Sequence, residues 1–129
     1  MSNLNKDSKV LVLGSGGLVG SSLVRELRKN SYKKILTPKR KELDLTNQQK
    51  VLDYFKEESP EFIFLAAAKV GGIVANNTYR ADFIYENLTI QNNVLGAAHR
   101  YPVQGLVFLG SSCIYPRDCP QPIKEEYLL

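Results

Sequence analysis

Short apolar segments recur along the chain, and longer amphipathic segments separate them. Three apolar segments, residues 10–13, 61–66 and 105–109, have the length of a strand and little polar alternation. Such segments are typical of strands that are covered on both faces, as in a parallel sheet. A fourth, shorter strand is predicted at residues 34–37, because Pro38 ends it.

The amphipathic segments predict three helices. The first follows a glycine-rich stretch, and its apolar face is expected to carry Leu18, Val19, Leu23, Val24 and Leu27. The second opens with a capping box of Thr46 and Gln49 and ends at Ser59. A loop from Gly71 through residues 76–77 precedes the third helix, at about residues 81–100. Its expected buried face comprises Ile84, Leu88, Leu95 and Ala98.

Strands that alternate with helices predict an α/β fold, specifically a Rossmann-like, doubly wound parallel sheet. The last predicted strand is followed only by a Pro-rich, charged tail. We therefore expect a sheet that is incomplete at its C-terminal side. The length of 129 residues corresponds to a single domain.

Composition narrows the classes of function. Hydrophobic residues make up 43% and charged residues 23% of the chain, which predicts a folded core. The net charge of +4 includes one short basic run at residues 39–41, so no nucleic-acid partner is expected. No apolar segment approaches the length of a membrane span, so no membrane association is expected either.

Two cysteines, Cys113 and Cys119, are too few for a disulfide scaffold, and a four-ligand zinc site lacks its other ligands. No metal site is therefore expected. The cysteine content favours a reducing, cytoplasmic location.

A glycine motif gives the first chemical signal. Gly14, Gly17 and Gly20 fit the dinucleotide-binding spacing between a predicted strand and a predicted helix. In that context the glycines permit a tight turn, approach of a pyrophosphate and close helix packing, while the helix N–H groups hold the phosphates. A glycine-rich turn without a ligand is the alternative. The predicted cofactor residues are Gly14, Ser15, Gly16, Gly17, Leu18, Val19 and Gly20.

The end of the second strand indicates which dinucleotide binds. NAD enzymes usually place an acid there for the ribose 2′-hydroxyl, whereas a 2′-phosphate prefers Arg or Lys. Residues 37–41 contain Lys39 and Arg40 and no acid. They favour NADP(H), with a solvated basic loop as the alternative.

Two further stretches could lie against the same cofactor. Asp44, which precedes Leu45, could reach an adenine amino group, although an ordinary turn aspartate is equally consistent. Leu65, Ala66 and Ala67 end a strand with small side chains, which let a cofactor approach the backbone. A buried strand without a ligand would show the same pattern.

Residues 111–116 follow the last predicted strand, where open α/β sheets bind ligands. Ser111 could hydrogen-bond a substrate oxygen, and a thiolate at Cys113 could move a proton. On spacing alone, a packed structural role for Cys113 is the better-supported interpretation.

Residues 64–77 and 108–116, together with the glycine motif, resemble the GDP-L-fucose synthases of the extended short-chain dehydrogenase/reductase family. The similarity extends from residue 10 to about residue 129. It implies epimerisation at C3 and C5 of GDP-4-dehydro-6-deoxy-D-mannose, followed by NADPH-dependent reduction at C4 to GDP-L-fucose. A GDP-linked 4-keto-6-deoxy sugar is thus the implied substrate, and a homodimer is implied for the complete protein.

The resemblance also implies roles for individual residues. Ser111 corresponds to the hydrogen-bond donor to the C4 oxygen, and Cys113 to the acid/base beside the ketone. Lys39 and Arg40 fall near the 2′-phosphate, with Pro38 in place of an arginine of some relatives. The stretch that lines the nicotinamide corresponds to Leu109, Gly110, Ser111 and Ser112.

One family feature is missing from residues 1–129. The family uses a catalytic Tyr-x-x-x-Lys pair, and no tyrosine here is followed by a lysine four positions later. We expect residues 1–129 to be the N-terminal portion of an NADP-binding Rossmann domain, without a substrate domain and inactive alone. The alternatives are a non-catalytic NADP(H)-binding module and another NAD(P)-dependent nucleotide-sugar epimerase or dehydratase.

Overall fold

A computed structural model describes residues 3–128 and contains a parallel sheet with helices on both faces. Its strands are β1 (Lys9–Leu13), β2 (Lys34–Leu36), β3 (Phe62–Leu65) and β4 (Gly105–Phe108). They lie in the order β2-β1-β3-β4, and all three pairings are parallel. The predicted α/β, Rossmann-like sheet is confirmed, with each strand within two residues of its expected bounds.

Within residues 3–128, four helices connect or flank these strands. They are α1 (Leu18–Lys29), α2 (Gln48–Glu58), α3 (Ile73–Thr78) and α4 (Arg80–Arg100). Two short 3-10 turns follow β4, at Ser112–Ile114 and Glu125–Tyr127.

The two faces of the sheet bury different helices. Val10 and Val12 of β1 pack with Val24 and Leu27 of α1 on one face. Leu11 and Leu13 pack on the other face, among buried residues of α2 and α4. Because successive strand residues point to opposite faces, a strand covered on both sides must be apolar throughout. This is why the polar alternation is missing from β1.

The strand order creates a crevice at one edge of the sheet. After β2 the chain crosses to the other side of β1 and forms β3, so the connections from β1 and β3 leave in different directions. Open α/β sheets bind ligands at such a point, outside the carboxyl ends of the strands. The Ala66 N–H donates to Leu13 O at 2.9 Å and extends the pairing of β1 and β3 to this edge.

The predicted cap of α2 is wrong by one residue. The Asn47 side chain accepts a hydrogen bond from the Lys50 N–H at 3.0 Å and caps the helix. Thr46 instead donates both its N–H and its hydroxyl to Asp44 Oδ1, at 3.0 and 2.7 Å. The aspartate turn therefore competes successfully for Thr46. The predicted end of α2 at Ser59 is confirmed by its left-handed conformation, with φ of 46°.

The predicted loop after Gly72 is also wrong, because residues 73–78 form α3. The Asn76 side-chain amide donates to Gly71 O at 2.7 Å and Gly72 O at 3.1 Å. These bonds tie the new helix to the glycines that precede it. Asparagine here supports the helix start rather than breaking the chain.

The predicted apolar faces of α1 and α4 are only partly correct. In α4 the exposed fractions of Ile84 and Leu88 are 62% and 47%, and Leu95 is exposed as well. The buried residues are instead Ile90, Asn93, Val94 and Ala97, because only the C-terminal half of α4 packs on the core. In α1, Val24 and Leu27 are buried, whereas Leu18 and Val19 are exposed at the crevice.

Candidate functional site

A cleft of about 770 Å³ occupies the crevice at the carboxyl ends of β1 and β3. The loops after β1, β2 and β3 form its walls, and Glu86 and Ile90 of α4 close one side. Most of the predicted cofactor residues line this cleft. They are Gly14, Ser15, Gly16, Gly17, Leu18, Val19, Lys39, Arg40, Asp44, Leu45, Leu65, Ala66, Ala67 and Leu109.

Two glycines build the turn after β1. Gly14 has φ of +84°, and a methyl group there would lie 2.6 Å from the backbone of Ala66. A methyl group at Gly20 would lie 2.1 Å from Gly14 O, far inside contact distance. The first turn of α1 is therefore pressed onto the glycine turn, which in turn touches the end of β3. Side chains at these two positions would push the elements apart.

The start of α1 presents backbone donors to the cleft. Its first intrahelical hydrogen bond runs from the Ser21 N–H to Gly17 O at 2.9 Å. The N–H groups of residues 18–20 therefore precede the helical ladder, and no side chain caps Gly17. No atom lies within 4 Å of a methyl group built on Gly16, and the nearest to one on Gly17 is 3.4 Å away. This open, donor-lined space suits an anion such as a pyrophosphate.

The cleft carries charges of both signs, from Lys39, Arg40, Lys69, Asp44 and Glu86. The Lys39 backbone N–H donates to Glu42 Oε2 at 2.8 Å, which orders the loop after β2. Lys39 and Arg40 are exposed at the mouth of the cleft. Cations therefore predominate where the ribose phosphate is predicted to bind.

Glu86 joins two of these cations. Its Oε1 lies 3.1 Å from Arg40 Nη2, and its Oε2 lies 3.0 Å from Lys69 Nζ. The neighbouring Asn87 side chain accepts from the Lys69 N–H at 2.7 Å and donates to Lys69 O at 3.0 Å. Two adjacent residues of α4 thus hold both the side chain and the backbone of Lys69.

Sequence reasoning missed Glu86, Asn87 and the role of Lys69. Their partners lie 17 to 46 positions away, so no local spacing marks the contacts. Only the fold brings them together.

Asp44 lies between two buried leucines. Donation by the Thr46 hydroxyl, and then by the Thr46 N–H, holds the pKa of the Asp44 carboxyl below its usual value. Asn93 Nδ2 donates to Leu45 O at 2.8 Å and fixes the same stretch to α4. Asp44 therefore forms an ordinary turn, as one of the two interpretations held, and it also lines the cleft.

The residues after β4 form a separate group. The Ser111 hydroxyl accepts from the Cys113 N–H at 3.2 Å and caps a short 3-10 turn. Both residues are exposed, so Cys113 does not have the packed structural role that spacing alone favoured. The predicted site residues that do not line the cleft are Gly20, Gly110, Ser111, Ser112 and Cys113.

No helix within residues 3–128 is long and apolar enough to cross a membrane. Within the same range, no group of three or more His, Cys, Asp or Glu residues is placed to hold a metal ion.

Known proteins share this arrangement. Residues 10–129 match the model of the NAD dependent epimerase/dehydratase family. The chain is 52% identical over 125 residues to GDP-L-fucose synthase 1 of Arabidopsis thaliana, covering 97% of this chain and 39% of the relative. It is 48% identical over 121 residues to GDP-L-fucose synthase of Escherichia coli strain K12, covering 94% of this chain and 38% of the relative.

A solved structure gives the same picture. MlghC, the GDP-mannoheptose C4 reductase from Campylobacter jejuni with NADP bound, superposes with a TM-score of 0.91 at 46% identity. The match covers 98% of this chain and 40% of that one. The chain thus spans about two fifths of the length of the relatives it matches. On the matched family model, the fold and the glycine turn, the chain belongs to the NAD dependent epimerase/dehydratase family.

Proposed function

We propose that residues 1–129 form the NADP(H)-binding portion of an enzyme of the GDP-L-fucose synthase type. The observation that carries the proposal is the open, donor-lined space at Gly16 and Gly17, at the start of α1. Cations at the mouth of the same cleft supply a partner for a 2′-phosphate. The NADP-bound state of the similar Campylobacter reductase supports the same cofactor.

Different residues of the cleft are proposed to contact different parts of the cofactor. The N–H groups of residues 18 and 19, which line the cleft at the start of α1, receive the pyrophosphate, while Lys39 and Arg40 receive the 2′-phosphate. The adenine lies in the adjoining part of the cleft, bordered by Asp44 and by the small side chains of Ala66 and Ala67. Leu109 lines the cleft at the proposed nicotinamide end, and the family resemblance assigns residues 110–112 to the same end.

The proposed reaction is epimerisation and reduction of GDP-4-dehydro-6-deoxy-D-mannose to GDP-L-fucose. The bound cofactor supplies a hydride to C4. Cys113 removes and returns protons at the carbons beside the ketone, which the carbonyl makes acidic. Ser111 donates a hydrogen bond to the C4 oxygen as negative charge develops there. The proton for that oxygen comes from the family's Tyr-x-x-x-Lys pair, which residues 1–129 do not contain.

Titration of the chain with NADPH tests the cofactor proposal. Gly17→Ala should weaken NADPH binding by about tenfold or more, because a methyl group would occupy the space for the pyrophosphate. The fold should persist, since the nearest protein atom to that methyl group is 3.4 Å away. Gly96→Ala is the control, because it adds a methyl group in open space on α4. Equal NADPH affinity in all three proteins would refute the proposed phosphate site.

Activity is tested separately. We propose that the 129-residue chain alone does not oxidise NADPH when the GDP-linked keto sugar is added, because it lacks the Tyr-x-x-x-Lys proton donor. Absorbance at the NADPH maximum follows the reaction. Steady oxidation that depends on the sugar would overturn this part of the proposal and leave the cofactor site intact.

A second substrate class is supported by one observation. The Campylobacter GDP-mannoheptose C4 reductase is 46% identical to this chain, nearly as similar as the E. coli fucose synthase. Reduction of a GDP-linked keto-heptose at C4 is therefore the alternative reaction. Assays of a longer protein that contains this sequence, with each GDP sugar in turn, separate the two.

A further inference from the structure

One carboxylate stands at the centre of a three-charge cluster, which we call the Glu86 cluster and which comprises Glu86, Arg40 and Lys69. Glu86 contacts Arg40 through one oxygen at 3.1 Å and Lys69 through the other at 3.0 Å. The cluster joins α4 to the loops after β2 and β3, and all three residues line the cleft. The acid that residues 37–41 lack is thus supplied from another element.

The three residues of the Glu86 cluster differ in how exposed they are and in how many contacts hold them. The side chains of Glu86 and Lys69 are 20% and 34% exposed, and Asn87 fixes the Lys69 backbone at both its N–H and its carbonyl. The Lys69 ammonium also lies 5.6 Å from the centre of the Phe83 ring. Arg40 is 76% exposed and makes its one side-chain hydrogen bond within residues 3–128 to Glu86. Arg40 is therefore the member that an incoming anion reaches first.

A phosphate and a carboxylate compete for a guanidinium in the same way. The phosphate oxygens and the carboxylate oxygens both accept hydrogen bonds from the N–H groups of the planar guanidinium. Two anions that share one cation also repel each other. A dinucleotide with a 2′-phosphate must share Arg40 with Glu86 or displace Glu86 from it. A dinucleotide without that phosphate meets no such competition.

From this geometry we infer that Glu86 is a specificity-determining residue, which competes with the 2′-phosphate for Arg40 and thereby limits the preference for NADP(H) over NAD(H). The inference rests on the proposed NADP(H) site. Glu86 acts through Arg40, so it is a positioning residue rather than a catalytic one. Its neutralisation should strengthen the binding of one cofactor and leave the other unchanged.

The test compares NADPH and NADH affinities of the 129-residue chain and of Glu86→Gln, measured by calorimetry or fluorescence at low salt. Glu86→Gln should raise NADPH affinity by about two- to fivefold, the size expected for releasing one partly exposed ion pair. NADH affinity should stay constant. High salt should shrink the gain, because screening weakens the competition.

Glu58→Gln is the matched control, since it removes the same charge from an ion pair with Lys9 outside the cleft. It should leave the ratio of the two affinities unchanged. In an Arg40→Ala background, Glu86→Gln should raise NADPH affinity much less than in the parent chain. Thermal melts of each variant report on the fold independently of binding.

The outcomes separate the two proposals. A parent chain that binds NADPH, with an unchanged or lower NADPH-to-NADH affinity ratio in Glu86→Gln, overturns the role of Glu86 and leaves the cofactor site standing. Parallel losses of both affinities would mean that Glu86 serves only the fold. A folded parent chain that binds neither dinucleotide overturns both proposals.

Discussion

At the scale of single residues, two glycines in helices differ in what a methyl group would meet. At Gly20 of α1 it would lie 2.1 Å from Gly14 O, whereas at Gly96 of α4 it would meet nothing within 4 Å. Gly20→Ala should therefore cost about 2–3 kcal/mol of unfolding free energy through overpacking. Gly96→Ala should gain about 0.5–1 kcal/mol, because alanine favours a helix over glycine. Urea unfolding followed by circular dichroism measures both, and changes of the same sign would contradict the contact at Gly20.

The Asp44 carboxylate gives a prediction about pH. The pKa of the Asp44 carboxyl is held below its usual value of 3.8 in the folded chain, so the carboxylate stabilises the fold above that pH, and this contribution is lost as pH falls through the folded pKa. Asp44→Asn should cost about 1 kcal/mol near neutral pH, the usual size for such a hydrogen bond. Parent and variant should converge in stability once the pH falls below the lowered pKa of the folded chain, where Asp44 is protonated. Asp118→Asn removes an exposed carboxylate and serves as control. A difference that persists in acid would show that the charge of Asp44 is not responsible.

At the scale of elements, α4 offers the same substitution in two environments. Ile90 is 7% exposed and packs in the core, whereas Ile84 is 62% exposed. Ile90→Ala should cost about 2–4 kcal/mol, while Ile84→Ala should cost less than about 1 kcal/mol. Chemical denaturation of the two variants compares them directly. A larger loss at Ile84 would mean that the N-terminal half of α4 packs on the core after all.

How much of each element could be predicted depends on where its partners lie. The strands and α1 were predictable because apolar runs and glycine spacing are local signals. The buried face of α4 was not, since Ile84, Leu88 and Leu95 repeat at helical spacing but remain exposed.

The cap at Asn47 was missed because Asp44 accepts hydrogen bonds from Thr46, an interaction that the capping-box pattern does not include. The glycine spacing and the strand ends predicted most of the residues that line the cleft. The contacts of Glu86 and Asn87 could be recognised only from the tertiary structure.

At the scale of the whole molecule, α3 and the N-terminal half of α4 expose apolar side chains together. Ile73, Val74 and Ile84 are 90%, 80% and 62% exposed. Because exposed apolar patches of this kind promote association, we expect the 129-residue chain to self-associate as its concentration rises. Ile84→Glu should weaken the association, whereas Asn92→Glu adds the same charge on an exposed polar position of α4 and should not. Sedimentation velocity over a concentration series measures this, and a monomer at every concentration would contradict the expectation.

The strand order also has a consequence for synthesis. β2 and β3 each pair with β1, and β4 pairs with β3, so each strand after β1 pairs with one that left the ribosome earlier. Among these four strands β1 is translated before the others, and each later strand emerges with a pairing partner already made. Since domains begin to fold from the N-terminal side during translation, the sheet can add its strands in the order in which they are translated. The glycine turn, fixed between β1 and β3, is complete as soon as β3 and the residues that follow it emerge.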